Sequence, residues 1–151
     1  MTARLTIALA LAAALVVTPA AGRDQLHAQR AAAYRIIVHP TNSVTQLRRA
    51  QIRDYFLKRR ADWEPGLPAA PVDLTPKLAV RTLFSREILE LSPTAVTSYW
   101  MQEIFAGSNT PPPVMSTVAA VLAYVASTPG AIGYVPGDTP TDGVRIVTVL
   151  P

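Results

Sequence analysis

The sequence predicts an α/β domain in which helices flank one small mixed sheet. Apolar runs rich in β-branched and aromatic residues are typical of strands. Segments with an apolar residue every three or four positions are typical of helices with one buried face. Fourteen prolines mark many of the breaks between these segments. The predicted strands are residues 34–39, 69–74, 132–135 and 144–149, and the predicted helices are residues 48–57, 78–91, 93–105 and 117–127.

The stretch 128–135 ends a helix and begins a buried strand. Pro129 disfavours a helical conformation for Thr128, and Gly130 is the residue type that most often follows a helix end. Gly133 carries no side chain, so another backbone or a ligand can approach the strand there. This stretch organises the predicted sheet.

The first predicted strand, residues 34–39, has a continuous apolar centre. Such a run predicts burial on both faces, as in a parallel sheet. Polar groups follow where the strand ends: His39, Thr41, Asn42 and Ser43 all carry hydrogen-bonding side chains. In open α/β sheets, ligands bind at the carboxyl ends of strands. The sequence therefore predicts ligand binding by Thr41, Asn42 and Ser43, or alternatively a plain turn bonded to its own backbone.

A second polar loop follows the second strand and opens a helix. Thr75 is a predicted N-cap and Pro76 a predicted first helical residue. A helix start binds anions through its free N–H groups, and Lys77 and Arg81 add positive charge there. We expect this loop and the polar loop after the first strand to meet over a shared rim, so that both contact one ligand.

The formal net charge is +4, and the excess lies in one helix and the turn after it. We call these six residues the basic face: Arg48, Arg49, Arg53, Lys58, Arg59 and Arg60. Such a face is either a solvated helix surface or a contact for a membrane transporter or another protein partner. No exposed aromatic residues interleave with it, so nucleic acid is not an expected partner.

The N-terminus is typical of a secretory signal peptide, assigned to residues 1–22. Arg4 precedes an apolar run at residues 5–17, and small residues suited to cleavage follow it. The run is shorter than the roughly 20 residues that span a bilayer. We expect a periplasmic protein with a flexible leader at residues 23–33 and one domain at residues 34–151; an uncleaved anchor is the alternative.

The sequence carries few signs of catalysis. It has no cysteine, no Gly-x-Ser-x-Gly motif and no metal-ligand spacing. We therefore expect a protein that is not an enzyme, with no catalytic residues, no metal site and no cofactor.

Taken together, the motifs resemble the phosphate-type substrate-binding proteins of ABC transporters. They are YFLKR at residues 55–59, DW at 62–63, VD at 72–73, Arg81, Phe84, YW at 99–100, FAG at 105–107 and TPGAIGYV at 128–135. The resemblance implies the type II periplasmic binding protein-like fold. Members of that family close two lobes around a ligand, and this chain is long enough for about one lobe.

The resemblance also implies a role for Arg81, which matches the family's phosphate-binding arginine. The family places Ser, Gly and Thr before that arginine, whereas this chain has Leu78, Ala79 and Val80. Hydroxyl and backbone donors that phosphate binding needs are missing as a result. Thr75, Lys77 and Arg81 remain the predicted ligands of a weaker anion.

Two functions follow from the resemblance. The first is an exported solute-binding-like protein that binds a small anion such as phosphate, weakly. The second is a non-enzymatic periplasmic interaction module that kept the fold and lost the ligand. Because a lone lobe leaves apolar surface uncovered, a homo-oligomer is also expected as a possible state.

Overall fold

A computed structural model describes residues 33–63 and 66–151, and it has the mixed α/β architecture that the sequence predicts. The strands are β1 (Tyr34–Val38), β2 (Gln46–Arg48), β3 (Asp62–Trp63), β4 (Leu67–Pro68), β5 (Ala70–Pro71), β6 (Asp73–Leu74), β7 (Val114–Met115), β8 (Ala131–Pro136) and β9 (Arg145–Leu150). The helices are α1 (Arg49–Phe56), α2 (Ala79–Phe84), α3 (Pro93–Phe105) and α4 (Val118–Ser127), and a π-helical segment (Ser85–Leu89) extends α2.

The main sheet has five strands in the order β2-β9-β1-β8-β5. Strand β1 is antiparallel to both of its neighbours, with Ile36 opposite Tyr134 on β8 and opposite Val147 on β9. The prediction of a parallel environment for β1 was therefore wrong. Its apolar centre is buried on both faces because helices and loops cover both faces of the sheet's centre, and burial alone does not fix strand direction.

Strand β5 lies at the edge of this sheet and runs parallel to β8. The predicted second strand is split, because β6 leaves the main sheet and pairs with β7. A proline within the predicted second strand indicates either an edge strand or a strand start, and Pro71 lies in the edge strand β5. A proline has no N–H to donate, so it fits a strand that is paired on one side only.

Strand β8 is the centre of the core, and all of its residues from Ala131 to Val135 are buried. Gly133 is the point where α4 comes closest. A Cβ atom built on Gly133 would lie 2.9 Å from Val121 Cγ1, 3.0 Å from Val72 Cγ1 and 3.1 Å from Val125 Cγ2. The close approach predicted at Gly133 is thus made by valine side chains of the core.

Helix α2 begins later than the sequence predicts. Its N-cap is Leu78, which makes no side-chain cap, while Thr75 accepts a hydrogen bond from the Leu78 N–H in a turn. Thr75 is therefore not the N-cap, because residues 75–78 form a turn of their own before the helix begins. At the other end, Glu90 takes a left-handed conformation with φ of 56° and terminates the π-helical segment.

The other two helix starts follow from their capping residues. Ser92 followed by Pro93 predicts a capped helix start, and the Ser92 hydroxyl does accept a hydrogen bond from the Ala95 N–H at α3. Thr117 caps α4, one residue after the predicted cap at Ser116.

The spacing of Val96, Trp100 and Ile104, flanked by Tyr99 and Phe105, predicts a core-facing side for α3, and this prediction is only partly right. Val96 and Trp100 are buried, but Ile104 is 55% exposed and Phe105 is 88% exposed. Helix α3 therefore packs mainly through its first two turns, and the apolar side chains near its end are exposed.

The predicted signal peptide, residues 1–22, and the leader up to residue 32 lie outside the described residues. Within residues 33–63 and 66–151, no helix is long and apolar enough to cross a membrane.

We expect Gly133→Ala to lower the free energy of unfolding by about 1–3 kcal/mol, because the new methyl group overlaps three valines. Chemical denaturation measures the loss. Val121→Ala makes room beside residue 133, so in a double-mutant cycle the two substitutions should couple favourably by about 1 kcal/mol. Strict additivity of the two losses would contradict the packing described here.

Candidate functional site

The residue that the family resemblance identifies as anion-binding, Arg81, lies inside the core. It is only 4% exposed and projects from α2 toward the start of β6. There its Nε atom lies 2.8 Å from Oδ1 of Asp73, although the N–H bond is not aligned on that oxygen well enough for a hydrogen bond. The contact is thus mainly an ion pair, and it neutralises Arg81 within the protein.

Asp73 is held by two further groups. The Tyr134 hydroxyl donates to Asp73 Oδ1 at 2.5 Å, and the Leu74 N–H donates to the same oxygen at 2.8 Å. Arg81 on α2, the Tyr134 hydroxyl on β8 and the Leu74 N–H on β6 therefore all contact the same carboxylate oxygen. Arg81 in turn donates from Nη1 to the Ser85 hydroxyl at the start of the π-helical segment.

This arrangement sets the protonation behaviour of its members. Burial raises the pKa of the Asp73 carboxyl, while Arg81, the Tyr134 hydroxyl and the Leu74 N–H oppose that rise. Burial, followed by the charge of Asp73, raises the pKa of the Tyr134 hydroxyl. Tyr134 is therefore neutral and remains a hydrogen-bond donor to the carboxylate.

Aromatic packing fixes the position of Tyr134. Its ring stacks on Phe84 with centroids 3.8 Å apart and an interplanar angle of 2°, and Phe56 packs beside both rings. Since Phe84 and Arg81 belong to the same helix, this stacking also positions α2 against β8.

We refer to Asp73, Leu74, Arg81, Ser85 and Tyr134 as the buried charge network. Sequence reasoning selected Arg81 but missed the other members. A usable signal was present, because Asp73 interrupts an apolar strand and a charged residue inside a core requires a partner.

An open apolar cavity of about 370 Å³ lies at the start of α2. Leu78, Ala79 and Val80, which the resemblance pairs with the family's Ser, Gly and Thr, all line it. The remaining lining residues are also apolar: Ala33, Leu83, Val118 and Pro136. The surface that would receive an anion in the family is therefore apolar in this chain.

Two polar residues that were predicted to act at this helix start lie close to it. Thr75 is half-buried, and its N–H donates to the Met115 carbonyl at 2.9 Å. Lys77 is exposed. Whether either residue contacts a ligand stays a prediction.

The loop after β1 forms a compact turn. The Asn42 Oδ1 accepts a hydrogen bond from the Val44 N–H at 3.0 Å, and Nδ1 of His39 lies 2.8 Å from the Thr41 hydroxyl oxygen. Asn42 is buried, whereas Thr41 and Ser43 are exposed. This is the local bonding of a plain turn, the alternative that the sequence left open.

The two predicted loops do not share a rim. Val38, the last residue of β1, pairs with Ile132 near the start of β8, so residues 41–43 lie beyond that end of the sheet. Strand β5 runs parallel to β8, and residues 75–81 consequently lie beyond the other end, near Pro136. Thr41, Asn42 and Ser43 are therefore not brought together with Thr75, Lys77 and Arg81. The prediction assumed a parallel β1, and its antiparallel direction reverses the end at which the first loop lies.

The basic face is partly engaged within the domain. Arg53 forms an ion pair with Glu90, while the Arg59 guanidinium lies 5.6 Å from the Tyr99 ring centroid. Arg60 lies 5.4 Å from the Tyr55 ring centroid. Arg48, Arg49 and Arg59 are exposed and carry the outward charge of this face.

Within residues 33–63 and 66–151, no group of three or more His, Asp or Glu side chains is placed to hold a metal ion.

Comparison with solved structures identifies the fold. The chain is similar to a protein from Clostridium perfringens that is assigned as a phosphate ABC transporter substrate-binding protein and was solved with bound phosphate. The TM-score is 0.60 and the sequence identity is 20%, and the match covers 78% of this chain and 46% of that chain. It is also similar to an ABC-type phosphate transport receptor from Vibrio cholerae, with a TM-score of 0.59, 15% identity and coverage of 78% of this chain and 47% of that chain. A third similar structure is PstS from Borrelia burgdorferi, with a TM-score of 0.59, 12% identity and the same coverage as the second.

At these identities the similarity is one of fold, and it confirms the resemblance to phosphate-type substrate-binding proteins predicted from the motifs. The chain spans less than half the length of each of the three solved proteins. Its short length thus fits a short relative of those proteins. No protein-family model and no curated protein sequence matches the chain.

We expect Tyr134→Phe to lower the free energy of unfolding by about 1.5–3 kcal/mol, because the substitution removes a hydrogen bond to a buried charged group. Tyr124→Phe is the matched control on α4, where the tyrosine is half-buried, and its effect should stay below about 0.5 kcal/mol. Urea denaturation of the two variants and the wild type measures both values. Equal losses in the two variants would contradict a role for the Tyr134 hydroxyl in the network.

Proposed function

We propose that this chain is an exported, non-enzymatic interaction module that keeps one lobe of the type II periplasmic binding protein-like fold and does not hold phosphate through Arg81. One observation carries the proposal: Asp73 neutralises Arg81 inside the core. For phosphate to bind Arg81, it would have to displace this carboxylate from a buried site, and leaving Asp73 buried and unpaired costs several kcal/mol.

The apolar cavity at the start of α2 supports the same proposal. Phosphate sites in proteins use convergent N–H and hydroxyl donors. Here Leu78, Ala79 and Val80 present hydrocarbon at the corresponding place. A charged ligand entering this cavity would lose hydration without gaining enough hydrogen bonds in return.

The partner surface that we propose is the exposed part of the basic face. Arg48, Arg49 and Arg59 are exposed, and the contact of Arg59 with the Tyr99 ring restricts the motion of its guanidinium. A restricted guanidinium loses less side-chain entropy when it binds a carboxylate. The expected partner is an acidic segment of a protein, such as part of a membrane transporter.

A second candidate is weak binding of a small anion by Lys77. The observation that favours it is the position of Lys77, which is exposed in the turn that precedes α2 and follows the half-buried Thr75. In this arrangement the anion stays at the surface and does not reach Arg81.

A titration of the purified protein with phosphate, sulfate and malonate, against chloride at equal ionic strength, separates the two candidates. For the interaction module we expect the melting temperature to change by less than about 1 °C, because a ligand at or below its dissociation constant adds little stability. A larger shift that saturates and disappears in Lys77→Ala would establish the second candidate. A saturating shift that survives in Lys77→Ala would contradict both.

A synthetic polyglutamate peptide tests the basic face, because it represents an acidic protein segment. We expect the double variant R48E/R49E to bind it about tenfold more weakly at low salt, since two attractive contacts become repulsive. The double variant R86E/R145E is a control of equal charge, as both residues are exposed and lie outside the basic face. Fluorescence anisotropy measures both affinities. An equal loss in the control would indicate an effect of net charge and contradict the proposed surface.

A further inference from the structure

Two hydrogen-bond donors and one cation surround Asp73, which is the arrangement of an anion site. Oxygen Oδ1 lies 2.5 Å from the Tyr134 hydroxyl, 2.8 Å from the Leu74 nitrogen and 2.8 Å from Arg81 Nε. A hydroxyl that donates to a charged oxygen lies at about 2.5–2.7 Å and a nitrogen at about 2.7–2.9 Å, so all three distances are those of contacts with an anion. A backbone N–H, a hydroxyl and a guanidinium are also the usual donor types of such sites.

These donors keep their positions through contacts of their own. The Tyr134 ring stacks on Phe84, and the Arg81 guanidinium also donates to Ser85. Leu74 is buried, and its strand β6 pairs with β7. Each of the three residues therefore has a second contact that helps to hold it in place besides its contact with Asp73.

We propose that the Asp73 carboxylate is the chain's own ligand in a buried anion site formed by Leu74, Arg81 and Tyr134. The site accepts an external carboxylate of matching size when the side chain of Asp73 is shortened. This inference rests on the proposed function in one respect, namely that Arg81 does not bind an external anion in the wild-type protein.

The size of the site selects the ligand. Asp73→Ala removes one carbon and two oxygens, and formate supplies the same atoms as a separate ion. Asp73→Gly also removes the Cβ atom, so acetate replaces what is missing. A tetrahedral phosphate is larger than the space that either substitution opens, and the surrounding side chains are close-packed.

The experiment follows the melting temperature of Asp73→Ala and Asp73→Gly in formate, acetate and chloride at equal ionic strength. Both variants should be less stable than the wild type in chloride, because Arg81 loses its counter-charge. Formate should raise the melting temperature of Asp73→Ala by several degrees and saturate, and it should do so more strongly than acetate. Acetate should act more strongly than formate on Asp73→Gly.

The double variant D73A/R81Q is the matched control. It keeps the shortened side chain but lacks the buried cation, so formate should stabilise it no more than chloride does. A response to formate that is the same with and without Arg81 would overturn the inference, and so would equal effects of formate and chloride on Asp73→Ala.

Failure of the variants to fold in chloride also gives a decisive test. Refolding in formate should then restore the native far-UV circular dichroism of Asp73→Ala, and refolding in chloride should not. If neither carboxylate restores either variant while Asp73→Asn folds, the inference is wrong. Phosphate binding by the wild type would contradict the proposed function. If the wild type binds no anion and the carboxylates do not stabilise the Asp73 variants, only this inference is contradicted.

Discussion

The buried ion pair between Asp73 and Arg81 is the constraint on which the rest of this domain depends. A guanidinium cannot remain in a core without a counter-charge, and removing one partner of a buried pair costs roughly 3–5 kcal/mol. Asp73 therefore has to lie at the start of β6, and Tyr134 has to point its hydroxyl toward it. The pair joins α2, β6 and β8, which otherwise contact one another mainly through apolar side chains.

The Asp73–Arg81 pair is also a feature that the shared fold alone does not imply. The solved proteins that the chain resembles in fold are assigned to phosphate transport, and one of them holds phosphate. In this chain Arg81 contacts an internal carboxylate, and apolar side chains line the cavity at the start of its helix. Proteins with the same fold often differ in the side chains at the binding site, and function depends on those side chains.

Much of the fold could be predicted because local rules decide it. Ser92 followed by Pro93 marked the start of α3, and Pro71 marked an edge strand. The direction of β1 could not be predicted, because a strand that is buried on both faces has the same continuous apolar sequence in parallel and antiparallel sheets.

The candidate site depended on that undetermined direction. Once β1 was taken as parallel, Asn42 and Lys77 fell at one end of the sheet, whereas strand pairing places them at opposite ends. Arg81 was identified from a motif, but its burial was not, because a basic residue near a helix start was expected to bind an external anion. The buried charge network joins residues that are far apart in the sequence, such as Asp73 and Tyr134. No local sequence pattern shows which distant residues contact each other.

The π-helical segment sets the rotational phase of the helix that carries Arg81. A π-helical turn holds one more residue than an α-helical turn, and each α-helical residue rotates the chain by about 100°. Were Ser85–Leu89 to keep its length and become α-helical, residues 79–84 would turn by somewhat less than that angle relative to Ile88 and Leu89, which are anchored in the core. Arg81 would then face away from Asp73. The wider turn thus accommodates one extra residue while the turns on either side keep their phase, so a substitution that made the segment α-helical at constant length would change which residues of the helix are inside.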